Sequence, residues 1–124
     1  MPTDWARLAK GSTTTIEGGE VVVELAGERK HRVKVHDEGD QLRLCGIVAT
    51  PSRIGDLDHE TRRAWEHNRT DSLVGFRIDQ RGRLVGECLV PIAGLTADEL
   101  AFCLRTVAAE CDRYEYLLTG KDVF

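Results

Sequence analysis

An α+β fold, with an antiparallel sheet of about five strands in the order βββ-α-ββ-α and helices packed on one face, follows from three features of this 124-residue sequence. Three short runs rich in β-branched residues, "EVVVELAG", "KHRVKVHDEG" and "QLRLCGIVAT", are separated by the turn signals "AGER" and "DEGD". A second strand pair, "SLVGFRID" and "LVGECLVP", flanks the turn "QRGR". The segment "LTADEL" then places Glu99 three residues after Thr96, a capping box just ahead of a long apolar stripe. An apolar helix stripe and a one-sided sheet bury each other, which gives the layered arrangement.

In chain order, "TDWARLAK" suits a short first helix, and "GSTTTIEGGE" is polar and Gly-rich enough for a loop or frayed end. Order is expected to begin near Glu20, with residues 1–19 partly flexible. The first three strands form a meander in which Val33, Val35, Leu42, Leu44 and Val48 face the core. Arg32, Lys34, His36 and Arg43 take the other side, interrupted by Cys45 and Ile47, so that face of the sheet is expected to stand open. After "TPSRIGD", Asp56 or Asp58 caps a helix to about Asn68, turning Trp65 inward. In the second hairpin Val74, Phe76 and Ile78 share one side, as do Leu84, Cys88 and Val90, and Pro91 ends the strand. The last helix carries Leu100, Cys103, Val107, Cys111, Tyr114 and Leu118 in steps of three and four, and Gly120 suits its left-handed stop.

Composition narrows the function. The chain has the size of one domain, spanning residues 1–124, and its 41% hydrophobic and 31% charged residues are those of a soluble globular protein. No apolar run approaches the roughly 20 residues needed to span a bilayer, and "MPTDWARLAKG" lacks the apolar centre of a signal peptide. A cytoplasmic location without membrane association is expected. Cys45, Cys88, Cys103 and Cys111 contain no CxxC pair and lie in periodic segments, as reduced thiols acting as small hydrophobes. A net charge of −4 disfavours nucleic acid, whose binding depends on neutralising phosphates.

No catalytic or cofactor spacing emerges. "HETRRAWEH" imitates a zinc helix, but a zincin needs histidines at i and i+4, and Arg63 stands where the second would be. Cys103 and Cys111 are eight residues apart on the apolar stripe, and His31 and His36 fall on opposite strand faces, so neither pair suits a metal. No phosphate-cradling glycine loop is present, and no cofactor is expected. In "AECDRYEYLLTG", from Ala109 to Gly120, the carboxylates of Asp112 and Glu115 lie a turn apart and could share a proton or a cation, but beside Arg113 and Lys121 they read as a hydrated flank. An enzymatic reading through Asp112, Glu115 and Tyr116 pairs no nucleophile with a general base. What remains is the open sheet face. Its clustered cations Arg32, Lys34, Arg43 and Arg77 could hold an acidic protein segment or a small anion. Its apolar islands Cys45, Ile47, Leu73, Val85 and Leu89 could form a partner interface. It lacks the aromatic residues with which an RNA-binding sheet stacks bases.

The segments "WEHN", "GFRID", "GRLVGECLVP", "GLTADEL" and "AECDRYEYLLTGKD" together resemble the YbjN-like family of small bacterial proteins with the type III secretion chaperone-like fold, over about residues 42 to 122. The likeness includes a tryptophan-and-asparagine motif at Trp65 and Asn68 and the box from Leu95 to Leu100. Secretion chaperones of this fold are small acidic cytoplasmic homodimers that hold another protein on their surface. The resemblance therefore implies a homodimer that binds a protein client or regulatory partner and is not an enzyme. The short first helix and mild acidity point towards a general adaptor or regulatory subunit. Arg32, Lys34, Arg43, Ile47, Arg77 and Leu89 are the candidate partner-binding residues, with a small-ligand or anion-binding domain as the alternative.

Overall fold

The computed structural model describes residues 5–9, 14–54, 59, 64 and 73–119. A short helix α1 (Trp5–Ala9) precedes four strands, β1 (Thr14–Glu17), β2 (Glu20–Glu24), β3 (Lys30–Asp37) and β4 (Gln41–Ala49). Two more follow, β5 (Gly75–Ile78) and β6 (Leu84–Pro91), and then the long helix α2 (Ala97–Thr119). The six strands form one antiparallel sheet in the order β1-β2-β3-β4-β6-β5. The helix expected from Asp56 or Asp58 to about Asn68, with Trp65 and Asn68 on it, lies outside the described residues except at His59 and Ala64, both helical.

The sheet has a strand more than the sequence pattern suggested. Within the stretch expected to be a loop, Thr14, Thr15 and Ile16 are β-branched, and they pair with Val23, Val22 and Val21. Gly18 and Gly19 form the two-residue connection, with Gly18 at φ +64°, a conformation a side chain disfavours. The polar threonines disguised a hairpin.

The core lies between the sheet and α2. Pairing aligns Ile16, Val21, Val33, Gly46, Gly86 and Phe76 in one row across all six strands. Cys111 of α2 sits on this row, its thiol weakly bonded to the carbonyls of Gly46 at 3.7 Å and Gly86 at 4.0 Å. A Cβ on Gly86 would lie 2.6 Å from that sulfur, so the missing side chain is what lets helix and sheet approach here. Around this point Leu100, Leu104, Val107, Ala108 and Tyr114 are buried, with the Tyr114 ring 4.9 Å from that of Phe76.

The helix stripe is as expected at Leu100, Val107, Cys111 and Tyr114, and Cys103 is half-buried at its margin. Leu104 and Ala108 widen it to the broad face a sheet-packed helix needs. The capping box is present in altered form: Glu99 N donates to Thr96 Oγ1 at 3.2 Å, while the Thr96 hydroxyl donates to the Glu99 carboxylate at 2.9 Å. The Leu118 side chain and Gly120 lie outside the described residues. All four cysteines are free thiols.

Candidate functional site

Strand alternation places every candidate residue on the side of the sheet away from α2. One cross-strand row there reads Glu20, Lys34, Cys45, Glu87 and Gly75. Beside it run the pairs Val22 with Arg32, Ile47 with Val85 and Val85 with Arg77, and beyond lie His36, Arg43 and Leu89. Arg32, Lys34, Arg43, Ile47, Arg77 and Leu89 thus share a face, but not one site.

Glu87, which the cation pattern did not bring to notice, divides them. Its carboxylate accepts from Arg77 Nε at 2.9 Å and from Arg43 Nη1 at 3.1 Å, and Arg43 Nε also donates to Glu38 at 2.9 Å. Arg43 and Arg77 are therefore engaged within the sheet. The missed signal was Glu87 itself, an acid between outward-facing Val85 and Leu89 and directly across from Cys45. Burial pushes the Glu87 carboxyl up, but the hydrogen bonds from Arg77 and Arg43 outweigh it and hold the carboxyl below its ordinary value of 4.5. A depressed folded-state pKa stabilises the fold above the unfolded value, and that contribution is lost as pH falls through the folded one. Glu87→Gln should therefore lower stability at pH 7 in urea melts. The gap to wild type should close as pH falls from the ordinary value of 4.5 through the depressed folded-state value, and a gap that does not shrink with falling pH would contradict the assignment.

Next to this network lies a groove of about 470 Å³ lined by Glu20, Arg32, Lys34, His36, Cys45, Ile47, Arg81 and Arg83. It draws Arg32, Lys34 and Ile47 from the sequence candidates and adds Arg81 and Arg83 from the β5–β6 turn. That turn is fixed by Asp79, whose Oδ1 accepts the backbone N–H groups of Arg81 and Arg83, both at 2.9 Å. Its Oδ2 accepts Arg83 Nε at 2.8 Å. Arg32 is paired with Glu17 at 2.7 Å. Among the described residues Lys34 and Arg81 form no ion pair. Of the apolar islands, Val85 is buried, Cys45 and Ile47 are half-buried, and Leu73 and Leu89 are exposed. Burial raises the Cys45 thiol, so the groove holds no activated thiolate.

The opposite face holds a correction. Asp112 and Glu115, expected on a hydrated flank, are 3% and 0% exposed and lie with fully buried His31. Their potential ligand atoms fall within 4.8 Å of one another, a spacing that would admit a cation. Arg29 Nε, however, already meets Asp112 Oδ2 at 3.0 Å, and the His31 ring bonds through Nε2 to the Ile47 carbonyl at 2.9 Å. The group is an internal polar cluster between β3 and α2, and Tyr116, 53% exposed, lies outside it. Cys111 beside it is pushed far up by burial, and Cys88 is pushed up to about 12 by burial and neighbouring Cys103. Neither thiol has the lowered pKa of a nucleophile.

Comparison with known proteins then places the arrangement. The chain is similar in fold to a chain in the crystal structure of the ExsC-ExsE complex, with a TM-score of 0.61 and 18% identity over 91% of this chain and 86% of that one. It is also similar to a chain in the HopA1-SchA chaperone-effector complex, with a TM-score of 0.54 and 12% identity over 95% of this chain and 89% of that one. At these identities the likeness is one of fold. A comparison with curated protein sequences finds no match. The family model for YbjN, described as "Putative bacterial sensory transduction regulator", matches residues 14–118, from the first strand to the end of the long helix, and the chain belongs to the YbjN family.

Proposed function

We propose that this protein is a non-enzymatic protein-binding module, a chaperone-like or regulatory adaptor that acts as a homodimer in the cytoplasm. The observation that carries the reading is the sheet face away from α2, where, among the described residues, a groove with half-buried Ile47 and Cys45 is lined by cations and adjoined by exposed Leu89. A surface that mixes exposed apolar area with a polar rim is the ordinary make-up of a protein interface. The two similar folds come from structures of complexes, one of them described as chaperone with effector, which supports a protein partner here. Among the described residues no helix is long and apolar enough to cross a membrane. The alternative, a small-anion domain using Arg32, Lys34, Arg43 and Arg77, is weakened because Glu87 engages two of the cations it needs.

Light scattering after size exclusion should give twice the 13.8 kDa chain mass. A partner purified with the wild-type protein should be lost from an Ile47→Asp, Leu89→Asp variant whose circular dichroism is unchanged. A strict monomer, or a partner retained by the folded variant, would overturn the reading.

A further inference from the structure

We infer that the occupant of the groove on the sheet face away from α2 is an extended, acidic segment of a partner protein, an inference that rests on the protein-binding reading above. Among the described residues the groove sets Arg32, Lys34, Arg81 and Arg83 against one acid, Glu20, in a chain whose net charge is −4. Glu17 and Asp79 compensate Arg32 and Arg83, whereas Lys34 and Arg81 form no ion pair among the described residues. An incoming carboxylate therefore meets two cations that need not first be released from an internal partner.

The spacing of the groove's side chains along β3 specifies the shape of the ligand. Arg32, Lys34 and His36 occupy alternate positions of β3 on one face, about 6.5–7 Å apart along the strand. A peptide lying extended over β3 presents its own alternate side chains at that same interval. Acids at every second position would meet this row, while Ile47 and Cys45 offer the groove floor to an intervening apolar atom. A nucleic acid fits less well, since among the described residues no aromatic side chain lines the groove to stack a base.

The test uses the full chain and a fluorescein-labelled peptide of about ten residues alternating glutamate with valine. Its glutamine–valine counterpart and inorganic tripolyphosphate serve as the other arms. The glutamate peptide should bind, weaken as salt rises, and lose roughly tenfold or more in affinity with Lys34→Glu, Arg81→Glu. If that variant melts early, Lys34→Gln, Arg81→Gln replaces it, with a smaller loss expected in the same direction. Equal binding of the glutamine peptide would overturn the acidic specificity while leaving a protein-binding groove in place. Binding of tripolyphosphate with neither peptide bound would overturn the inference in favour of a small-anion site. Failure of every probe would also overturn it, and the light-scattering and co-purification results would then decide the fate of the broader reading separately.

Discussion

Gly86→Ala is expected to destabilise the protein by about 1–3 kcal/mol, the range for inserting a methyl into a packed core. The added carbon would lie 2.6 Å from Cys111 Sγ and 2.8 Å from Phe76 Cε1, both in side chains confined between sheet and helix. Alanine recovers roughly 0.5–1 kcal/mol of backbone entropy relative to glycine, too little to offset such a clash. Cys111→Ala removes the nearer obstacle, so the double variant should be more stable than the two single effects predict when added. Urea melts of the four proteins measure this coupling. A Gly86→Ala protein within about 0.5 kcal/mol of wild type would show that α2 is not held at this glycine contact.

Arg29→Ala should cost about 2–3 kcal/mol, whereas Arg113→Ala should cost less than about 1 kcal/mol. Each arginine meets a carboxylate at close range, Arg29 to Asp112 at 3.0 Å and Arg113 to Glu110 at 2.7 Å. Distance alone would rank them the other way. Burial decides: the Asp112 side chain is 4% exposed and cannot turn to water when its cation goes, while Glu110 at 29% has solvent at hand. Arg29 is itself 44% exposed, which keeps the expected loss below that of a wholly interior pair. Equal losses in the two variants would mean that Asp112 is satisfied without Arg29.

How far the sequence could be followed depended on the range of the interactions concerned. The five strands from β2 onward, the capping box at Thr96 and most of the α2 stripe are written in local periodicity and turn chemistry, and they were legible for that reason. β1 was also locally encoded, by three consecutive β-branched residues before a Gly-Gly turn, but its threonines count as polar in a pattern of hydrophobicity. The internal polar cluster was harder. Strand alternation does put His31 with Val33 and Val35, and helix spacing does put Glu115 four residues after Cys111. Only tertiary structure brings the two elements together and supplies Arg29 from the β2–β3 connection. The candidate face was likewise legible as a surface but not as a site. Which cations are already engaged depended on Glu87, on β6 beside β4 but 44 residues from Arg43 in sequence, and on the curl that brings Arg81 and Arg83 to the groove.

Ile47 links the two sides of the molecule. Its side chain lies on the groove floor, its carbonyl takes the His31 ring bond, and the irregular step of β4 between Ile47 and Ala49 falls at the same place. A sheet is one chain thick, so a single peptide unit stands between whatever rests in the groove and the carboxylates under the helix. The groove floor and the polar cluster under the helix thus share one residue, and the ring resonances of His31 are the expected NMR reporter of a ligand seated against Ile47.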